Sequence, residues 1–273
     1  MLKSKFLYNC ALQIRKMSSN ASCSRLTGRV AVITASTDGI GLAIARRLAR
    51  EGAKVVVSSR RATNVEKAVN DLKQEGLNVT GVVCHVAKAE DRKKLFAESE
   101  KLGGLDILVS NAAVNPEIGG VLDASESAWD KIFDVNLKAS YLLAKEALPQ
   151  LRKSKFGRIV FISTISAYVP LDVLGVYSVS KTALLGLTKA AANQLAPENI
   201  TVNCVAPGVI KTRFATTLTE SDETRKQVLD KIPLGRLGVP ENISGVVALL
   251  VSDDGSYITG ETIVAAGGMT SHL

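Results

Sequence analysis

Histidine is almost missing from this 273-residue chain: His85 and His272 are the only two, and the second lies at the extreme C-terminus. The four cysteines, Cys10, Cys23, Cys84 and Cys204, are scattered, with no C-x-x-C pair and no histidine cluster. This argues against a structural zinc site and a disulfide framework, and no metal is expected. No apolar run reaches the roughly 18 residues of a membrane span, so no integral membrane segment is expected. Acidic residues are absent from positions 1–29, which hold Lys3, Lys5, Arg15, Lys16, Arg25 and Arg29. The whole chain carries 34 Lys and Arg against 26 Asp and Glu, a net charge of +8. With those six set aside, 28 basic and 26 acidic side chains remain over residues 30–273, a balance of +2. The body of the chain therefore gives a nucleic-acid reading no support.

What is present is a repeating alternation. Short β-branched runs occur at Val30–Thr34, Lys54–Ser58, Val79–Cys84, Asp106–Ser110, Arg158–Ser163, Ile200–Val205 and Thr262–Ala265. Several are continuously apolar, as strands covered by helices on both faces must be. Helical patterns lie between them, at Gly39–Glu51, Asn64–Glu75, Ala89–Lys101, Ser125–Arg152, Val176–Leu195 and Pro240–Ser252. Gly52 stands where a helix-ending glycine should. This order predicts a single α/β domain, Rossmann-type, with a doubly wound parallel seven-stranded sheet. No linker divides it. Residues 211–238 are polar and carry Pro233, Gly235 and Gly238; they read as a lid at the ligand-binding edge, or as a plain surface helix.

The first strand runs into Thr34-Ala35-Ser36-Thr37-Asp38-Gly39-Ile40-Gly41 and a helix follows at once. Glycines there admit a pyrophosphate to the backbone, and the helix N-terminus offers free N–H groups. The alternative is a merely tight turn. The second strand ends on Ser58-Ser59-Arg60-Arg61. An acidic residue there would suit a free ribose 2′-hydroxyl. Ser59, Arg60 and Arg61 instead suit a 2′-phosphate, which favours NADPH/NADP+; a solvated basic helix start is the alternative. Tyr177 and Lys181 lie four apart on one helical face. An ammonium near a phenol is expected to lower its pKa towards a working acid–base range.

The ordered set TASTDGIG, SNAA (110–113), VNLK (135–138), YSVSK (177–181) and APG (206–208) resembles the short-chain dehydrogenase/reductase superfamily, over about residues 26–268. The resemblance implies Tyr177 as proton donor in carbonyl reduction. It gives Lys181 the nicotinamide ribose, and Asn136 a water that relays protons. Residues 35–41, His85, Val86, Asn111, Ala112, Ala113, Pro207, Gly208, Ile210 and Thr212 would line the cofactor. Asn136 has a plainer alternative, bridging backbone, and Thr212 another, capping a helix.

Three positions depart from the family pattern. Ala35 replaces a glycine, which requires that its backbone angles not be positive. His85 stands where the family often has Asp; a neutral imidazole can bond to or stack on the adenine, but a core-edge histidine is the preferred reading. Thr164, thirteen before Tyr177, takes the place of the family serine, and is preferred to Ser163 because adjacent strand residues face opposite ways. Thr164, Ser166, Tyr168 and Leu174 are the expected substrate pocket, with the apolar stretch Ala167–Val176 as its wall.

The implied function is NADPH-dependent reduction of ketones or aldehydes (retinal, aromatic or steroid ketones, dicarbonyls) to alcohols, in a homotetramer. The alternatives are a reductase of 3-ketoacyl thioesters, with Arg213 or Arg236 meeting carrier phosphates, and a non-catalytic cofactor-binding or assembly protein. Residues 1–25 read as a targeting or flexible segment and 26–270 as the enzyme domain. Ser271-His272-Leu273 resembles a peroxisomal address read by an import receptor. The basic, amphipathic N-terminus makes the mitochondrion the second option, and a disordered basic tail the bland one.

Overall fold

The computed structural model describes residues 24–213 and 222–271. Residues 1–23, which hold most of the segment read as a targeting or flexible one, and His272 and Leu273 lie outside the described residues. Seven strands form one sheet: β1 (Val30–Ile33), β2 (Lys54–Ser59), β3 (Val79–Val83), β4 (Ile107–Ser110), β5 (Arg158–Ile162), β6 (Thr201–Pro207) and β7 (Thr262–Ala265). The order across the sheet is β3-β2-β1-β4-β5-β6-β7, and every neighbouring pair is parallel. This is the doubly wound architecture expected.

The continuous apolar runs have the predicted cause. Side chains alternate across a strand, and each face feeds a different core. Ala31, Ile33, Val55, Val57, Ile107 and Val109 enter one cluster; Val32, Val56 and Leu108 enter the other. Helices α1 (Gly39–Arg50) and α2 (Ala62–Gln74) cover the first face, where α8 (Pro240–Val251) packs beside α1. The second face is covered by α3 (Ala89–Lys101), α5 (Ala139–Leu151) and α6 (Gly175–Leu195). Gly52 ends the first helix at φ 97°, a conformation open to glycine.

Two stretches differ from expectation. The single helix read over Ser125–Arg152 is three pieces: α4 (Glu126–Phe133), a π-helical turn (Asp134–Lys138), and α5. Ala139 N–H reaches back five residues to Asp134 O, which defines the wider turn. In the 211–238 excursion, positions 214–221 lie outside the described residues. Its described helix, α7 (Asp222–Asp230), buries none of its side chains. Among the described residues, no helix is long and apolar enough to cross a membrane.

Strand order reverses between β1 and β4, whose neighbours lead off to opposite edges. Loops leaving the two C-terminal ends part there and open a crevice.

Candidate active site

The crevice is built first by Thr34, a residue the sequence reading did not single out. Its buried hydroxyl accepts from Asn111 N at 2.9 Å and Ala112 N at 3.0 Å, tying the exit of β4 to that of β1. Asn111 Nδ2 returns two bonds, to Thr34 O (3.0 Å) and Ala35 O (3.1 Å). Ser36, expected among the cofactor contacts, is fully buried. Its hydroxyl donates to Ile33 O and accepts from Ser58 N, so it serves the sheet rather than the crevice.

Ala35 overturns one expectation. Its φ is 49°, in the left-handed region that the missing glycine would have tolerated. The chain must reverse from β1 into α1 within five residues, and Asn111 clamps the carbonyls on both sides of the turn. Such a backbone costs an L-residue about 1 kcal/mol. Ala35→Gly is therefore expected to raise stability by about 1 kcal/mol, read as a higher urea midpoint at unchanged m-value. An equal or lower midpoint would show that the strain is relieved elsewhere.

Ala35, Asp38, Gly39, Ile40 and Gly41 line one end of the cleft, and Thr164, Tyr177 and Lys181 the other. Asn111 and Ala113 also line it, as do Pro207, Gly208, Ile210 and Thr212 from the segment that ends and follows β6. The phosphate end suits a dinucleotide. Asp38 caps α1 by accepting from Gly39 N at 2.9 Å, and a methyl built on Gly41 would lie 2.3 Å from Ala35 O. At Gly41 the turn is thus packed to the point where only a bare backbone fits.

Tyr177 is buried on the first turn of α6, and Lys181 lies one turn on. Lys181 Nζ sits 5.8 Å from the phenol ring centroid and donates to Ile162 O at 2.7 Å. Burial pulls Lys181 down to about 8. Burial also pushes the Tyr177 phenol above its ordinary value, the opposite of the lowering expected from a neighbouring ammonium. Desolvation outweighs the ammonium, which is held by a carbonyl.

Thr164 and Ser163 both border the cleft, but their hydroxyls differ. Ser163 Oγ donates to Lys181 O at 2.9 Å and is buried. Thr164 is half-buried and accepts from Ser166 N at 3.3 Å. Asn136 lies in the π-helical turn with its side chain fully spent. Oδ1 accepts from Val114 N, while Nδ2 donates to Val114 O and to Ser180 Oγ. Its carbonyl accepts from Ser140 Oγ. These bonds lock the loop after β4 against α6. They are the bridging alternative raised for Asn136, and Ser180 is the partner the sequence reading missed.

Several expected residues lie elsewhere. Ser166 and Tyr168 do not line the cleft. The strand ends at Ile162, and a 3₁₀ turn (Ile165–Ala167) rotates the chain. Ser166 is thereby buried, and Tyr168 packs on the second core within hydrogen-bond reach of Thr262. Leu174 does line the cleft, together with Leu171. Val86 is buried in the same core, with its carbonyl bonded by Arg92.

Ser59, Arg60 and Arg61 stand at the end of β2, beside the phosphate turn, where Ser36 N donates to Ser58 O at 2.9 Å. Both guanidinium groups are exposed, and neither makes an ion pair among the described residues. His85 is half-buried, and its Nδ1 accepts from Ala87 N. Burial first, then Lys131, Arg60 and Lys88, hold its pKa below the usual value, so the ring is neutral at neutral pH.

A family model described as Enoyl-(Acyl carrier protein) reductase matches residues 34–270. Dehydrogenase/reductase SDR family member 4 of Bos taurus is 56% identical over 249 residues, which is 91% of this chain and 89% of that protein. This chain belongs to the short-chain dehydrogenase/reductase family. Dehydrogenase/reductase SDR family member 2, mitochondrial, of Homo sapiens is 48% identical over 268 residues, 97% of this chain and 95% of that one. A double mutant of a Serratia marcescens short-chain dehydrogenase/reductase has a similar solved structure. Its TM-score is 0.83 and its identity 34%, covering 89% of this chain and 98% of its own. Family membership makes the chain an oxidoreductase of the kind that uses a nicotinamide nucleotide.

Proposed function

We propose that the protein is an NADPH-dependent reductase of ketones and aldehydes. The observation that carries this is the convergence of Tyr177, Lys181 and Thr164 at one end of a cleft whose other end is a phosphate turn. When bound, the nicotinamide nucleotide supplies the hydride. Tyr177 holds the proton for the carbonyl oxygen, since burial keeps the phenol in its neutral, proton-loaded form. Lys181 keeps a positive charge beneath it at neutral pH. Thr164 Oγ1 donates to the oxygen as negative charge develops there. Leu171 and Leu174 make that end apolar.

Arg60 and Arg61 support the phosphorylated cofactor, because they follow the strand end that adjoins the phosphate turn, are exposed and make no ion pair among the described residues, and guanidinium groups suit a 2′-phosphate. The experiment is a carbonyl panel with NADPH and NADH in parallel. Faster turnover with NADPH is expected, with the preference reduced by Arg60→Ala. A preference for NADH would refute this reading of Ser59, Arg60 and Arg61. The thioester alternative draws less support. Arg236 is engaged by Leu237 O and Asn242 Oδ1, and Arg213 pairs with Asp38 at the phosphate turn, where the diphosphate of a cofactor rather than a carrier phosphate is expected.

Thr164→Val is expected to lower turnover by about 10²-fold, with a smaller effect on cofactor affinity. Thr164 also caps the 3₁₀ turn, so Thr164→Ser is the control and should recover most of the rate. Near-normal turnover in the valine variant would remove Thr164 from the active site. A homotetramer, and delivery to the peroxisome by an import receptor reading Ser271-His272-Leu273, complete the proposal. The mitochondrion is second, in line with the name of one relative. Reporter fusions at each end, with and without residues 271–273, separate the two.

A further inference from the structure

The segment leaving β6 folds back over the phosphate turn. Thr212 lies against Gly39, so close that a methyl on Gly39 would come within 3.2 Å of Thr212 Cγ2. The next residue reaches further. Arg213 Nε donates to Asp38 Oδ2 at 2.6 Å, and its Nη2 makes a second, shorter contact with the same oxygen. The other oxygen of Asp38 caps α1 by accepting from Gly39 N. One carboxylate therefore stands at the helix end that a diphosphate needs, and one guanidinium neutralises it.

The pair is exposed, 80% for the Arg213 side chain and 50% for Asp38. Exposed ion pairs add little to stability, so this one is poorly explained as a structural strut. Its place is more telling. Arg213 lines the nucleotide cleft, and it also lines the outer chamber that runs on past Leu171, Leu174 and Val209. A guanidinium there can turn from a carboxylate to a phosphate without moving its backbone, and its fork suits two phosphate oxygens.

We infer that Arg213 is shared between Asp38 and the diphosphate of the nucleotide. Without nucleotide it neutralises Asp38. With nucleotide it donates to the phosphates and holds the strap Ile210–Arg213 against the cofactor. Asp38 is the competing anion, so it lowers nucleotide affinity and keeps the bound cofactor exchangeable. This rests on the reading of the cleft as a nicotinamide-nucleotide site.

The two partners should then act with opposite signs. Arg213→Ala is expected to weaken NADPH binding by about tenfold, because it removes a charge-assisted contact. Asp38→Asn keeps the cap, since Asn caps as well as Asp, and removes the competing charge. It should tighten NADPH by about threefold, with a strength set by local screening. Calorimetric titration of the full chain with NADPH, NADH and adenosine 2′-monophosphate tests this. The last ligand carries no diphosphate, and its affinity should be the same in wild type and both variants.

The inference is overturned if Arg213→Ala binds NADPH within twofold of wild type, or if Asp38→Asn weakens it. It is also overturned if Arg213→Ala weakens NADPH and adenosine 2′-monophosphate alike, which marks a general structural loss. A wild type that prefers NADH overturns the reading of Arg60 alone, because both dinucleotides carry the diphosphate. A wild type that binds neither dinucleotide overturns the proposed function itself.

Discussion

Tyr177→Phe is expected to lower carbonyl turnover by about 10³-fold while leaving nucleotide binding within about twofold. The substitution removes one hydroxyl and keeps a ring that is 7% exposed, so packing is preserved. What is lost is the proton. Burial holds the phenol neutral, which is the form needed to protonate a carbonyl oxygen and the wrong form to accept a proton from an alcohol. Reduction should therefore outrun oxidation at neutral pH. The sign of the pH dependence follows from Lys181, which burial draws down to about 8. Below that value the ammonium is charged and assists charge development on the reacting oxygen. As pH rises through about 8 the charge is lost, and kcat/KM for reduction should fall. The same limb should vanish in Lys181→Met, whose residual rate should be flat across it. A phenylalanine variant with near-normal rates would sink the tyrosine mechanism. A falling limb retained in the methionine variant would move the titration to another group.

Much of the frame that holds this tyrosine is legible in the residues alone. The strands β1, β2 and β4 carry the consecutive apolar residues 30–33, 55–57 and 107–109 because their two faces feed two different cores. Gly39 and Gly41 sit between a strand and a helix, and that junction is where a parallel sheet places ligands. Other features are hidden for physical reasons. Five residues of π-helix shift the apolar phase by less than one position, so Asp134–Lys138 reads as ordinary helix. The bonds of Asn136 to Val114 and Ser180 join three separate elements, and no local pattern announces them. Ser166 and Tyr168 lie beside Thr164 and the apolar wall in the sequence, but the strand ends at Ile162 and the 3₁₀ turn Ile165–Ala167 carries both away from the cleft. Ser36 looks like a phosphate contact from its neighbours, but the proximity of β2 claims its hydroxyl. Asp38 and Arg213 meet across 175 positions, a pairing that only the fold creates.

Gly41→Ala carries the other large expectation. It is a single methyl, yet the space for it is already filled on three sides. The new carbon would lie 2.3 Å from Ala35 O, 2.6 Å from Asn111 Nδ2 and 2.9 Å from Ser36 Cα. None of these can yield cheaply. Ala35 O is backbone in a left-handed turn and is held by Asn111. Asn111 also holds Thr34 O and takes part in the tie between β1 and β4. Ser36 is anchored to both β1 and β2 through one hydroxyl. Accommodation must push α1 away from the sheet or break the Asn111 clamp, at a cost of about 2 kcal/mol. The helix end that should meet the phosphates moves in either case. Nucleotide affinity should then fall by about 10²-fold, since charge-assisted contacts to phosphate tolerate little displacement. Titration of NADPH together with a urea melt separates the two effects. A variant that melts with wild type and binds NADPH normally would mean that the turn has room the packing denies. A variant destabilised but binding normally would place the phosphates elsewhere along the cleft. Loss of both is the outcome this packing requires, because the same three atoms fix the turn and aim the helix.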